Sequence, residues 1–210
     1  MNQELNDLLY TLPSGTESYA SDLTDLDAQD VPQDRIPKLN ALVQGQDEYL
    51  AVTAARILCS WGREEGFDYL EKFVCDRPPQ NENWMPHRLK NYDETYRFIL
   101  DAIVGFWAMQ SDAERGDAAR QRIFKPITKI IEIANVLPFD ISHFFWLIER
   151  KGFTEYIPAL KEHLTAILLT PNLHHWKIAD CAHLLMRFDP DFVQKALAKH
   201  GKTLSDYPDK

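Results

Sequence analysis

Histidine and aspartate are the residues of this chain that could bind a metal ion. Two of the seven histidines follow an aspartate at a spacing of three, in the pairs Asp140 with His143 and Asp180 with His183. Residues three apart share one face of a helix, so each pair could offer a carboxylate and an imidazole to the same ion. The pattern therefore raises the hypothesis of a metal site.

Other features of the sequence argue against that site. When the sequence is aligned with itself at a shift of 37 positions, His143 aligns with Asp180. The two Asp–His pairs are therefore out of register with each other. Zinc needs three or four convergent ligands, and the remaining signal is His174-His175 at a predicted helix start. We expect capped or partly exposed histidines, with no metal and no other cofactor.

Motifs for nucleophilic catalysis or phosphate binding are absent from the sequence. It contains no Gly-x-Gly-x-x-Gly, no P-loop and no Gly-x-Ser-x-Gly, and its eight glycines leave little material for phosphate-binding loops. We therefore predict a protein without catalytic residues.

Charge is distributed unevenly along the 210 residues, whose formal net charge is −9. Residues 1–34 contain eight acidic residues and no lysine or arginine, whereas the other 176 residues carry 24 acidic and 23 basic side chains. Nucleic-acid binding requires clustered lysine and arginine, so this acidity argues against DNA or RNA as a partner.

The acidic segment alternates carboxylates with apolar residues, among them Tyr19, Leu23, Leu26 and Val31. Carboxylates of one sign attract a basic partner and raise its association rate, while a few apolar residues can anchor it. The alternative is that segment 1–34 covers an exposed apolar edge of the fold, and the two roles are compatible. We predict that a basic protein binds at Asp22, Asp25, Asp27, Asp30 and Asp34.

A second irregular segment spans 76–92 and contains three prolines, three asparagines and an isolated Trp84. Long polar loops inside compact domains are uncommon and often functional. We predict that Glu82 and Trp84 contribute to partner binding. The alternative is an ordered insertion whose tryptophan packs against the core.

Most of the remaining sequence has the three- and four-residue apolar spacing of α-helices. One run begins at Asp47 and ends near Gly62, and a second covers 67–74. No stretch alternates β-branched and polar residues between tight turns, so we predict an all-α fold. Further helical runs cover about 93–110, 118–135, 141–151, 155–169, 173–188 and 190–200. Core packing is expected for the tryptophans on apolar stripes, which are Trp61, Trp107, Trp146 and Trp176.

Self-comparison indicates repeated helix pairs. A shift of 37 aligns Leu147 with Leu184, and a shift of 127 aligns Leu58 with Leu185. The helices near 93–110 and 118–135 fit the repeat less well. Each unit has a longer helix, a short turn and a second helix, and stacked units of this kind share a continuous core.

The pattern resembles the HEAT-like and armadillo-like helical repeat families. The residues that carry the resemblance are 49–58, Gly62, 67–74 and 153–164. The resemblance implies a right-handed α-α superhelix of about four antiparallel helix pairs. That superhelix would form one domain over residues 35–202, with the acidic segment 1–34 before it and a tail at 203–210. An irregular helical bundle without true repeats is the alternative.

Two enzyme classes with HEAT-like folds do not match these residues. Deoxyhypusine hydroxylases bind iron through repeated His-Glu dipeptides, which this sequence lacks. HEAT-like enzymes that remove alkylated DNA bases use a basic concave surface. The richest basic stretch here is interrupted by Glu114, Asp117 and Glu132, which indicates a solvated helix face. Its basic residues are Arg115, Arg120, Arg122, Lys125 and Lys129.

The compartment is predicted from three observations. No basic start followed by an apolar run opens the sequence, and no stretch approaches the roughly 18 apolar residues of a membrane span. The cysteines Cys59, Cys75 and Cys181 are dispersed, which suits a reducing environment. We expect a cytoplasmic protein that is monomeric on its own and binds neither membrane nor nucleic acid.

Small size, acidity and the missing catalytic motifs are similar to those of immunity proteins that neutralise bacterial toxins, some of which are HEAT-like. The resemblance implies a non-enzymatic protein that binds and neutralises a basic antibacterial toxin. A scaffold or adaptor that docks a cellular protein is the second hypothesis. A nucleic-acid- or metal-dependent enzyme on a helical-repeat fold is the third.

Overall fold

A computed structural model of the chain describes residues 3–90 and 92–208. Residues 1, 2, 91, 209 and 210, which fall in the predicted segments 1–34, 76–92 and 203–210, lie outside the described residues. Within the described ranges the regular structure is helical, with no β-strand, which confirms the all-α prediction. The helices are α1 Gln3–Tyr10, α2 Ile36–Val43, α3 Glu48–Ser60, α4 Glu64–Cys75, α5 Thr95–Asp112, α6 Gly116–Ala134, α7 Phe145–Lys151, α8 Ile157–Ile167, α9 Pro171–Met186 and α10 Pro190–Ala198.

Local sequence signals set several helix ends. Asp47 caps α3, because its carboxylate accepts a hydrogen bond of 3.1 Å from the Leu50 amide. Asp189 caps α10 in the same way through the Phe192 amide at 3.0 Å. The predicted run from Asp47 to Gly62 is therefore confirmed as a helix with its start and stop signals.

The turns that end α3 and α5 have the same backbone conformation. Gly62 and Glu114 each adopt a left-handed conformation, with φ of 70° and 62°. The next residue, Arg63 or Arg115, donates its amide hydrogen to a carbonyl five positions earlier, at 2.9 and 2.8 Å. This is the Schellman helix ending, in which a left-handed residue lets the chain reverse direction.

Contacts divide the chain into two compact units. In the described ranges, unit 1 comprises residues 3–78 and 98–126, and unit 2 comprises 79–90, 92–97 and 127–208. Helices α5 and α6 each contribute residues to both units. The single repeat domain proposed for residues 35–202 stays a prediction.

Unit 1 is built on α3, which packs against α1, α2 and α4. Apolar residues of the N-terminal segment join this core together with the buried side chains of Leu39, Leu58 and Trp61. Phe67 of α4 stacks on Phe106 of α5 with ring centroids 4.6 Å apart. Residues 3–34 of the acidic segment are therefore an ordered part of unit 1.

Unit 2 is built on α9, which packs against α8 and α10. Its core contains the edge-to-face pair of Phe144 and Tyr156, with centroids 5.5 Å apart. The C-terminal residues also belong to the core, since Tyr207 is buried and its carbonyl oxygen lies 2.8 Å from Nε2 of His183. Residues 203–208 are thus fixed to α9.

Among the described residues, no helix is both long and apolar enough to cross a membrane.

Candidate protein-binding surface

The five predicted aspartates lie together on a short ordered stretch of unit 1, which we call the acidic strip (Asp22, Asp25, Asp27, Asp30 and Asp34). Short-range hydrogen bonds shape the stretch. Asp22 accepts from the Thr24 amide at 2.7 Å and so caps a 3-10 turn at Leu23–Asp25. The Tyr19 hydroxyl donates to Asp27 at 2.6 Å, and this carboxylate raises the pKa of Tyr19 to about 12.

The apolar residues of the same stretch face the opposite way. Leu23, Leu26 and Val31 are buried in the core of unit 1. The backbone is also tied to α3, because Nε1 of Trp61 donates a hydrogen bond of 2.6 Å to the Leu23 carbonyl oxygen. These three residues are therefore not available as anchors for a partner, whereas Tyr19 is 64% exposed.

The carboxylates of the acidic strip form no salt bridge with the residues that the structure describes. Four of them are exposed and Asp30 is half-buried. Their described hydrogen bonds are with neutral groups, and among the residues that the structure describes none of the five forms a salt bridge with a lysine or arginine. The charge of Asp22 nevertheless acts on the buried guanidinium of Arg56. Asp30 and Asp34 make no side-chain hydrogen bond there either. The strip is thus a fixed surface of one charge sign, in which Asp22 is partly compensated by Arg56.

The other two predicted residues, Glu82 and Trp84, belong to unit 2. Both are half-buried. They sit in a hairpin-like loop that a single carboxylate organises: Asp93 accepts hydrogen bonds from the amides of Glu82, Asn83, Met85 and Thr95, at 3.1 to 3.2 Å. Backbone bonds from His87 to Tyr92 and from Glu94 to Met85 close the loop. Segment 76–92 is therefore largely an ordered insertion.

The hairpin also brings aromatic rings together in a way that the sequence did not predict. Tyr92 stacks on Trp176 of α9 with centroids 5.5 Å apart, and His87 lies 4.6 Å from Tyr92. The Lys90 ammonium sits 5.1 Å above the Trp176 ring. Burial, with the nearby carboxylates of Glu94 and Asp140, raises the pKa of Tyr92 to about 12. These side chains border a cleft of about 280 Å³ within unit 2.

The position of Trp176 in the sequence explains why the sequence patterns did not predict that cleft. Trp176 lies 84 positions from Tyr92, so no local spacing links the two rings. The apolar stripe on which Trp176 falls predicts core packing. Trp61 and Trp107 are buried as expected, whereas Trp146 and Trp176 are half-buried.

The histidines of the two predicted Asp–His pairs have different surroundings and do not converge. His143 lies 3.7 Å from Asp140, while His183 contacts the carbonyl oxygen of Tyr207. In the described part of the chain, no group of three or more His, Cys, Asp or Glu side chains is arranged to hold a metal ion.

Two further histidines form a buried basic cluster with Lys177. His163 and His174 are fully buried, and burial lowers the pKa of His163 well below its usual value and that of His174 to about 4. Lys177 donates to the carbonyl oxygens of Ala134 and Leu137 at 2.7 and 3.2 Å, and burial lowers its pKa to about 7. The neighbouring charges disfavour protonation of each imidazole, which makes the cluster sensitive to acid.

The basic stretch on α6 is partly neutralised by acidic residues. Arg122 pairs with Glu64 and with Asp68, and its guanidinium lies 4.5 Å from the Phe67 ring. Lys129 pairs with Glu132 at 2.8 Å. These contacts support the interpretation of the basic stretch as a solvated helix face.

Comparisons with known proteins gave no match: no family model, no curated protein and no solved structure is similar to this chain.

Proposed function

We propose that this protein is a non-enzymatic binding module whose acidic strip recognises a basic protein. The observation that carries the proposal is the arrangement of that strip. Five carboxylates project from a segment whose apolar residues are locked into the core, and none of them forms a salt bridge in the described chain.

A fixed array of this kind favours fast and salt-sensitive association. Unpaired carboxylates attract cationic groups at distances up to about 10 Å at moderate salt, and they steer the partner before contact. Little ordering entropy is lost on binding, because Trp61 and the buried leucines already hold the segment in place.

The partner class that best fits this surface is a toxin that acts on an anionic substrate. Such a toxin presents clustered lysine and arginine, so an acidic protein could cover its active surface and neutralise it. We therefore propose an immunity function in the cytoplasm, with a scaffold or adaptor role as the second candidate. The buried thiols of Cys59 and Cys181 are compatible with a reducing compartment.

The proposed architecture that carries the strip is a HEAT-like stack of helix pairs. Supporting this, α3–α4 and α5–α6 are successive helical hairpins with the same Schellman turn. Helices α9 and α10 supply a further pair.

The test replaces all five strip aspartates by asparagine and uses wild type and variant as baits in a lysate of the native organism. Asparagine keeps an acceptor oxygen at each position, so the capping bond of Asp22 and the bond that Asp27 accepts from the Tyr19 hydroxyl are preserved while five charges are removed. A basic protein captured by wild type and lost with the variant supports the proposal. Capture of the same protein by both baits contradicts it.

Toxin neutralisation is tested separately, by cell growth. If the captured protein is toxic when expressed alone, coexpression of the wild-type chain should restore growth and the five-asparagine variant should not. A captured protein without toxicity favours the adaptor role.

A further inference from the structure

The two Schellman turns of unit 1 place equivalent arginines beside one pocket. Arg63 follows the left-handed residue Gly62, and Arg115 follows the left-handed residue Glu114. A non-glycine residue in this conformation is uncommon, so Glu114 keeps the turn geometry at some energetic cost. The repeated turn thus sets two guanidinium groups at corresponding positions of successive helix pairs.

A buried glutamine connects the two turns. The side-chain amide of Gln110 donates to the Gly62 carbonyl oxygen at 2.8 Å, and its oxygen accepts from Nε of Arg115 at 2.7 Å. Gln110 is 5% exposed, so its side chain is fixed inside unit 1, whereas Arg115 is at an exposed position. The Gln110 oxygen holds Arg115 through Nε, which leaves the Nη groups of its guanidinium for other partners.

The arginines of this pocket differ from four others in the described chain. Arg77, Arg97, Arg122 and Arg187 each pair with a carboxylate. Arg63 and Arg115 form no ion pair within the part of the chain that the structure describes. Two guanidinium groups without counter-charges at one pocket are suited to bind an oxyanion.

The remaining walls of the pocket are apolar or carry amides. Val31, Trp61 and Met109 supply apolar surface, and Gln33 and Gln110 supply amides. The volume is about 200 Å³, which is smaller than a drug-sized site and suits a small organic molecule. A ligand that fits these walls has an anionic group joined to a short apolar body.

We propose that the Arg63–Arg115 pocket binds a monoanionic carboxylate carried on such a body. Carboxylate is favoured over a phosphate dianion because Asp30 and Asp34 flank the wall residues Val31 and Gln33 along the chain. Repulsion from these two carboxylates grows with ligand charge, so it is about twice as large for a dianion. The carboxylate belongs to a free small molecule or to an acidic side chain of a bound protein, and the same two arginines would hold either.

Titration with small anions tests the pocket directly. Benzoate, acetyl-glutamate amide and inorganic phosphate are added to the full chain, and binding is followed by chemical shifts of backbone amides. We expect saturable binding of a carboxylate, with shifts centred on Gly62, Gln110 and Arg115. Tighter binding of benzoate assigns the pocket to free small molecules, and tighter binding of acetyl-glutamate amide assigns it to a protein side chain.

Substitutions complete the test. Arg63→Gln and Arg115→Gln should each weaken carboxylate binding by about tenfold, because each removes a charge-assisted hydrogen bond. Arg88→Gln, at an exposed position of unit 2, is the matched control and should bind as wild type does. Absence of saturable carboxylate binding to wild type, binding by both pocket variants as tight as that of wild type, or phosphate binding tighter than either carboxylate overturns the proposal. These variants leave the carboxylates of the acidic strip intact, so carboxylate binding at the pocket and capture of a basic protein by the strip are measured separately.

Discussion

The indole nitrogen of Trp61 donates a hydrogen bond of 2.6 Å to the carbonyl oxygen of Leu23, which joins the C-terminal cap of α3 to the acidic segment. Both side chains are buried, at 4% and 2% exposure. A buried bond of this kind is shielded from competing water, so it contributes to both stability and orientation. The acidic strip is held on unit 1 largely through this contact and the leucines around it.

Replacing Trp61 by Phe should loosen the acidic strip. The change removes the donor to Leu23 and part of the buried ring, so we expect the free energy of unfolding to fall by about 2 kcal/mol. Amide hydrogens of residues 23–31 should exchange faster. Trp176→Phe is the matched control, because the Trp176 indole is half-buried in unit 2 and should leave exchange at 23–31 unchanged. Unaltered exchange in Trp61→Phe would show that the bond does not hold the strip.

Asp93→Ala should disorder the hairpin that contains Glu82 and Trp84. Four amides lose their common acceptor, and each hydrogen bond to a charged group contributes about 1.5 kcal/mol or more. We expect at least about tenfold faster hydrogen exchange at these amides. Asp112→Ala, at the exposed end of α5, removes a carboxylate without this role and serves as the control. Equal exchange in the two variants would rule out Asp93 as the organiser.

Stability should fall in mild acid because His163 and His174 are buried as neutral bases. Their pKa values in the folded state are below the ordinary 6.5, so the unfolded chain binds protons first as the pH drops. The stabilisation is complete above pH 6.5 and is lost progressively toward pH 4, by at most about 1.4 kcal/mol per pH unit for each histidine.

Urea unfolding between pH 7 and 4.5 measures this effect. His174→Gln should have a shallower pH dependence than wild type, whereas His200→Gln, at an exposed position, should not. A wild-type slope retained in His174→Gln would mean that other groups cause the acid sensitivity.

Lys177 should give a pH dependence of the same sign at higher pH. Its pKa is about 7 in the folded state and about 10.5 when unfolded, so unfolding takes up a proton between these values. Stability should therefore rise with pH between 7 and 8.5, by up to about 1.4 kcal/mol per pH unit. Above pH 9 the buried thiols of Cys59 and Cys181 oppose the trend, because burial raises their pKa values.

The matched variant for this prediction is Lys177→Met, which keeps the length of the side chain and removes its titration. Its unfolding free energy should be flat between pH 7 and 8.5. The same rise in this variant as in wild type would contradict a neutral buried lysine.

Helices were predictable from the sequence where their signals are local. Asp47 and Gly62 flank a run of strong apolar periodicity, and they mark the two ends of the α3 region. The short helix α2 at Ile36–Val43 was not predicted as a separate element. The α5–α6 pair fits the sequence repeat less well, partly because Glu114 occupies the left-handed position where Gly62 provides the usual signal.

The candidate sites depended on contacts that local patterns do not encode. The acidic residues of the strip could be found by counting charges, but the inward direction of Leu23 and Leu26 depends on Trp61, more than 30 positions away. Likewise, Tyr92 meets Trp176, and Gln110 connects Gly62 with Arg115, only through tertiary packing.

The rate of association with the captured basic partner, measured against salt concentration, tests the central claim most directly. Asp30→Asn/Asp34→Asn removes two strip charges that make no side-chain hydrogen bond in the described chain, and Glu71→Gln/Glu162→Gln removes two carboxylates elsewhere. The strip variant should associate about fivefold more slowly than wild type at low salt, and the difference should vanish near 1 M salt. The control pair should associate at the wild-type rate. Equal rates for the two variants at low salt would contradict recognition through the acidic strip.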